Sequence, residues 1–385
     1  MLRFEFATSG RILFGAGTLR EVAPAAASFG QQVLVVTGRT TQRAASLLEH
    51  LKSQGMAPTL FSVTNEPTLE TVRAGVEVAR EAGCDVIIGF GGGSVIDAGK
   101  AIAALVTNHG DVLDYLEVIG NGQALTQTPA PYLAIPTTAG TGAEVTRNAV
   151  IASPDHRVKV SLRSRMMLPR LAVIDPELTY SLPPHLTAST GLDALTQLIE
   201  PYVCNSPNPI TDALCREGMR RVAWGLRRAY VDGRDTQARE DMALGSLFGG
   251  MALANAKLGA VHGFAGALGG MFPAPHGMIC ARLLPLVMET NVQALKSRAP
   301  NSPALQRYAG VTQILTGQST ATLGDALAWL QALCADLAAP PLSHFGVNEN
   351  AIPLIIAQAQ RASSMKGNPI QLTEQELAGI LRRAL

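Results

Sequence analysis

Short runs of aliphatic and β-branched residues alternate with longer stretches of helical period through roughly the first 180 residues, and beyond about residue 185 the strand-like runs nearly vanish. Val33 to Val36 predicts a strand, 41 to 53 a helix, Asp85 to Ile88 a strand and 94 to 107 a helix. Such alternation is the signature of βαβ units feeding a parallel sheet. Tyr132 to Ile135 and Leu171 to Ile174 add two more candidate strands, each closed by proline, at Pro136 and at Asp175-Pro176. Near the start, FEF and RILF flank Ser9-Gly10 and predict a hairpin at the sheet edge. In the second half, 187 to 203, 209 to 230, 236 to 258, 303 to 315 and 322 to 337 read as helices. The change of grammar falls near Ser181-Leu182-Pro183-Pro184, where the proline pair suits a helix start. This predicts an α/β domain over 1–182 and an all-helical domain over 183–385, in keeping with a length beyond one comfortable core.

Composition narrows the classes of function. With 47% hydrophobic and 16% charged residues the chain can bury large cores, yet it has no uninterrupted apolar run of the roughly 18 residues a membrane span needs. The opening MLRFEFATSG carries charges and no apolar h-region, which argues against a secretory signal. A net charge of +1 gives no electrostatic reason for a nucleic-acid or membrane partner. The five cysteines, Cys84, Cys204, Cys215, Cys280 and Cys334, form no CxxC pair, so neither a zinc knuckle nor a disulfide framework is expected. A reducing cytoplasm is the expected setting.

Two loops could hold an anion. GFGGGSVIDAGK, residues 89 to 100, follows an apolar run, and its glycines would let the backbone expose amide N–H groups at a helix start near Ser94. Asp97 and Lys100 lie one turn apart on that helix, placed to meet a cofactor or to pair with each other. The stretch matches neither the P-loop nor the GxGxxG pattern, so taken alone it is either a phosphate cradle or a tight turn that binds nothing. IPTTAGTGAEVT, residues 135 to 146, follows another apolar run and gathers Thr137, Thr138, Gly140, Thr141 and Gly142. At the carboxyl ends of adjacent strands the two loops would make a crevice for one dinucleotide.

The helical half holds a candidate metal constellation. Asp193 and Gln197 are four apart and share a helix face, while His262 and His276 stand fourteen apart across LGAVHGFAGALGGMFPAPHG. One carboxylate and two imidazoles suit Fe²⁺ or Zn²⁺; the plainer reading of each histidine is a hydrogen-bonded core group.

GGGSVIDAGK, PTTAGTGAEVT, DPELTYSLPPHLTASTGLDAL and the repeated HG together resemble the iron-containing, or group III, alcohol dehydrogenases. The similarity runs from the N-terminal strands to SSMKGNP at 363 to 369. It implies the fold shared with dehydroquinate synthase: an α/β NAD(P)-binding domain, an all-α metal domain, and an active site in the cleft between them. The resemblance makes Gly92, Gly93 and Ser94 the pyrophosphate cradle with Asp97 nearby. Thr137, Thr138, Thr141 and Lys159 become further cofactor contacts, and Leu178 and Ser181 line the adenosine part. The metal set maps onto Asp193, Gln197, His262 and His276, with Asp193 and the two histidines as the catalytic groups. A homodimer is implied as well.

Two positions depart from the family pattern. Gln197 stands where DALxH has histidine, and Gly266 stands where HGxxH supplies another. An amide is a poorer ligand for Fe²⁺ or Zn²⁺ than imidazole. At the end of the first strand, Gly38 stands where NAD-preferring relatives carry aspartate, and Arg39 follows it. Glycine removes the repulsion of a 2′-phosphate and Arg39 is placed to pair with it, unless it is only a solvated loop residue. NADP is therefore the expected cofactor over NAD, and the expected reaction is hydride transfer between a small alcohol and its aldehyde or ketone. The rivals are a metal-independent enzyme like maleylacetate reductase and a non-catalytic nucleotide-binding relative.

Overall fold

In the computed structural model, which describes residues 3–156 and 158–385, the apolar runs of the first half lie side by side in a six-stranded, all-parallel sheet. Its strands are β1 (Ile12–Phe14), β2 (Gln32–Thr37), β3 (Ala57–Ser62), β4 (Val86–Gly91), β5 (Tyr132–Pro136) and β8 (Leu171–Ile174), in the order β1-β8-β5-β4-β2-β3. Two further strands, β6 (Asn148–Ser153) and β7 (Val158–Arg163), form a separate antiparallel pair. The intervening helices are α1 (Val22–Ala27), α2 (Ala45–Ser53), α3 (Leu69–Glu81), α4 (Gly93–Thr107) and α5 (Val112–Tyr115).

Alternation along β2 shows how the sheet is covered. Val33 and Val35 pack in one core with Leu47 and Leu51 of α2, whereas Leu34 and Val36 pack in another with Val72 of α3 and Ile102 of α4. Helices on both faces explain why the central strands read as unbroken apolar runs. No FEF–RILF hairpin forms. Ile12–Phe14 pairs in parallel with β8 instead. The preceding segment is taken elsewhere: Asn255 accepts from the Ala7 amide at 2.6 Å and donates to its carbonyl at 2.8 Å.

The helical half contains α6 (Pro184–Val203), α7 (Pro209–Val231), α8 (Thr236–Asn255), α9 (Ala260–Met271), α10 (His276–Arg298), α11 (Pro303–Thr316), α12 (Leu323–Asp336), α13 (Ile352–Arg361) and α14 (Glu374–Ala384). One continuous apolar core runs through them. The compact units are residues 8–138 with 142–180, and 181–385 together with the segment up to Ala7 and residues 139–141.

A buried cation organises the first unit. Lys100 of α4 is 1% exposed, and its Nζ donates to the carbonyls of Ala143 and Asn148 at 2.7 Å and to Thr146 Oγ1 at 3.0 Å. Asp97 lies 3.7 Å away and also accepts from the Val150 amide. The helix is thereby tied to the turn between β5 and β6. Burial in this group pushes the Glu144 carboxyl up to about 7, despite the nearby Lys100, and lifts Asp97 to about 6.

A carboxyl whose pKa is raised in the folded state binds more protons there than when unfolded. Stability from Glu144 therefore falls as pH rises from its ordinary 4.5 to about 7, and is level above that. Glu144→Gln keeps the shape but cannot ionise, so its melting temperature should drop less across that window than the parent's. Parallel slopes in thermal melts followed by circular dichroism would refute the assignment.

Candidate functional site

The two loops and the histidine cluster belong to different units, so each is built from its own elements. In the helical unit, α6 is buried along most of its length and places Asp193, Gln197 and Glu200 on one face by the i, i+4, i+7 spacing. Carboxylates carried into an apolar core are costly unless charged or hydrogen-bonded partners meet them. Those partners arrive at two helix starts: His262 in the first turn of α9, and His276 as the first residue of α10. The Asp193 Oδ1 lies 3.3 Å from His262 Nε2 and 3.7 Å from His276 Nε2, and the two rings are 5.4 Å apart. Gly277 makes this approach possible, because a Cβ there would stand 1.8 Å from the Ser189 carbonyl oxygen.

Glu200 fixes the geometry. One of its oxygens accepts from the Val261 amide at 2.7 Å and the other from His262 Nδ1 at 2.7 Å, so a carboxylate sits on the amide end of α9. With Nδ1 committed to Glu200, Nε2 is the nitrogen turned to Asp193. Burial alone would lower the His262 pKa, but the Asp193 and Glu200 carboxylates outweigh it and raise it to about 9. For Asp193, burial is likewise outweighed: His276 and His262, helped by the Gln197 amide, hold its carboxyl below the ordinary value.

These residues suit a divalent cation. His262 Nε2 and Gln197 Oε1 are buried and have no hydrogen-bond partner among the described residues. The ligand atoms of Asp193, His262, His276 and Cys280 all lie within 4.8 Å of one another. Metal bonds of about 2.0 to 2.3 Å in a tetrahedron imply ligand separations of roughly 3.3 to 3.8 Å, close to those around Asp193 Oδ1. Gly266 is exposed, and a Cβ there would meet nothing within 4 Å.

In the sheet unit, the structure gathers most of the predicted cofactor residues. Gly91 ends β4, Gly92 caps α4 without a side-chain hydrogen bond, and Val95 and Ile96 bond back to Gly92, which leaves the Gly93 and Ser94 amides at the helix start. A Cβ on Gly92 would lie 3.3 Å from Thr138 Cγ2, and the Thr137 amide donates to the Gly91 carbonyl, so the threonine loop abuts the glycine loop. None of the three glycines has a left-handed backbone; Gly91 is needed for close approach, since a Cβ would stand 2.6 Å from Val95. Gly38 borders Val95 as well, and Arg39 beside it is exposed, with no ion-pair partner among the described residues.

Other predicted contacts are engaged elsewhere. Lys159 pairs with Glu66 at 2.6 Å, Asp97 serves Lys100 and Val150, and the Leu178 carbonyl accepts from Arg43. Thr141 and the exposed Ser181 fall in the helical unit. Sequence reasoning missed Glu200 and Cys280. Both carried a periodic signal: Glu200 is seven residues from Asp193 on α6, and Cys280 is four from His276 on α10. If Glu200 orients His262, Glu200→Gln should weaken Zn²⁺ binding by roughly 10- to 100-fold, measured against a chromophoric chelator; unchanged affinity would deny it that role.

Comparison with known proteins identifies the family. Residues 9–176 match the family described as iron-containing alcohol dehydrogenase, and residues 187–385 match the C-terminal part of the Fe-containing alcohol dehydrogenase family. The chain is 37% identical over 344 residues to a 1,3-propanediol dehydrogenase of Klebsiella pneumoniae, covering 88% of this chain and 86% of that protein. It is 36% identical over 379 residues to alcohol dehydrogenase 4 of Schizosaccharomyces pombe, covering 97% of this chain and 87% of that protein. A crystal structure of a 1,3-propanediol oxidoreductase superposes with a TM-score of 0.92 at 34% identity and full coverage of both chains. The parallel sheet, the helical half and these matches together show that the chain is an alcohol oxidoreductase and belongs to the iron-containing alcohol dehydrogenase family.

Proposed function

We propose that this enzyme interconverts a small alcohol and its aldehyde or ketone, with NADP(H) preferred over NAD(H) and a divalent ion held by Asp193, His262 and His276. The observation that carries the reading is the convergence of one carboxylate and two imidazoles within an otherwise apolar helical unit, Asp193 Oδ1 being 3.3 Å and 3.7 Å from the two Nε2 atoms. When bound, the nicotinamide supplies or accepts the hydride, and the ion supplies Lewis acidity toward the alcohol or carbonyl oxygen.

The chain's own residues divide the remaining work. Asp193 offsets cationic charge, and Glu200 holds the His262 ring with Nε2 outward. His276 is the open member of the cluster, with a side chain 37% exposed, and so is the one a substrate oxygen meets. Amides at the start of α4 receive the pyrophosphate, with the hydroxyls of Thr137 and Thr138 beside them. Arg39 is free to take a 2′-phosphate, and Gly38 presents no carboxylate to repel it. Preference for NADPH makes aldehyde or ketone reduction the expected direction in cells.

Metal analysis and kinetics on one preparation test both parts. A stoichiometric divalent ion is expected, with a higher kcat/KM for NADPH than for NADH. Full activity after exhaustive chelation would sink the metal part, and a higher kcat/KM with NADH would sink the cofactor part. Gly38→Asp adds a carboxylate where a Cβ meets only Val95 Cγ2 at 3.9 Å, so the fold should tolerate it. It should lower kcat/KM for NADPH by about tenfold or more relative to NADH.

A further inference from the structure

We propose that Cys280 is the fourth protein ligand of the cation site, as its thiolate, and that it biases the site toward a thiophilic ion, Zn²⁺ or Co²⁺, over Fe²⁺ or Mn²⁺. The inference rests on the reading that Asp193, His262 and His276 hold a cation, and it names the fourth donor and the metal class.

Helical spacing supplies the first argument. His276 and Cys280 are four residues apart on α10, so they share a face, as Asp193 and Gln197 do on α6. Two helices thus present a pair each to one point, with His262 from α9 as the fifth group. The Cys280 Sγ lies 3.9 Å from Asp193 Oδ1, long for a hydrogen bond and close to the roughly 3.6 Å edge expected when oxygen at about 2.1 Å and sulfur at about 2.3 Å share a tetrahedral ion. The buried, unpartnered His262 Nε2 marks the same point independently.

The chemistry of the two candidate fourth donors differs. Gln197 offers only a neutral amide oxygen, Oε1, which is buried and has no hydrogen-bond partner among the described residues. A thiolate is charged, polarisable and a far stronger donor to Zn²⁺ or Co²⁺. Without a cation the fully buried thiol makes only a weak, long contact to Asp193 Oδ1. A bound ion would replace that contact with a bond to the thiolate, since a coordinating thiol is deprotonated outright. Among the described residues no other cysteine joins a group of possible metal ligands.

Cobalt reports the donor directly. The full-length protein, stripped by chelation and titrated with Co²⁺, should show a thiolate-to-cobalt charge-transfer band in the near ultraviolet together with strong visible bands of a tetrahedral site. Cys280→Ser and Cys280→Ala should lose the near-ultraviolet band and bind Zn²⁺ at least ~10-fold more weakly, whereas Gln197→Ala should keep the band. Loaded anaerobically with equal Zn²⁺ and Fe²⁺, the parent should take up mainly Zn²⁺, and Cys280→Ala should shift the ratio toward Fe²⁺. Stoichiometric Co²⁺ binding without the band, or a band that survives both cysteine variants, would overturn the assignment while leaving the three-residue site intact. Absence of any Co²⁺ or Zn²⁺ binding by the folded parent would overturn the underlying reading, and this proposal with it. Far-UV circular dichroism confirms that each variant is folded.

Discussion

A carboxylate buried in apolar surroundings must be met by positive charge or strong donors, and Asp193 imposes this demand on the helical unit. The side chain is 3% exposed in the middle of α6, a helix with neither lysine nor arginine to answer it. The answer comes from elsewhere in the chain, as His262 and His276 at the starts of α9 and α10. Glu200 adds a second negative charge, but it is spent on the amides of α9 and on His262 Nδ1. The arrangement therefore has a layered logic: the outer carboxylate, Glu200, orients the His262 ring, and the inner one, Asp193, faces its Nε2. Helix packing follows from this, since α10 presses close enough on α6 that only glycine fits at 277.

The sheet unit meets the same problem with the charges exchanged. Lys100 is the buried cation, and oxygens of Ala143 and Thr146 in the turn following β5 and of Asn148 at the start of β6 accept from it, with Asp97 nearby. It ties α4 to the segment that leaves the end of β5, the same segment that begins with Thr137 and Thr138. Asp97, which the family resemblance places near the cofactor, works in this support.

Strands buried on both faces were legible because they need apolar residues at every position: β2, β4, β5 and β8 stand within three residues of the runs that signalled them. The edge strand β3 was not, since APTLFS is largely solvated and Leu60 is 45% exposed. Residues 258 to 277 stood out only as a glycine-rich segment between the two histidines, yet most of them form α9. Some of their glycines lie where neighbouring groups crowd in, as at Gly263, where a Cβ would stand 3.0 Å from Met365. Glycine lowers helix propensity, but the packing it permits outweighs that cost here.

By itself the sequence determined which chemical groups were present and which shared a helix face: Asp193 with Gln197, the glycine stretch after an apolar strand, and the change from alternating to helical grammar. Those properties are local, set by a period of two or 3.6 residues. Only the tertiary structure decided which groups meet. It put Cys280 at 3.9 Å from Asp193, gave Glu200 to His262, and turned Lys100 and Lys159 to protein partners. Contacts between residues 43 to 93 positions apart depend on how the elements pack, and packing is decided by the summed fit of many side chains that no single motif records.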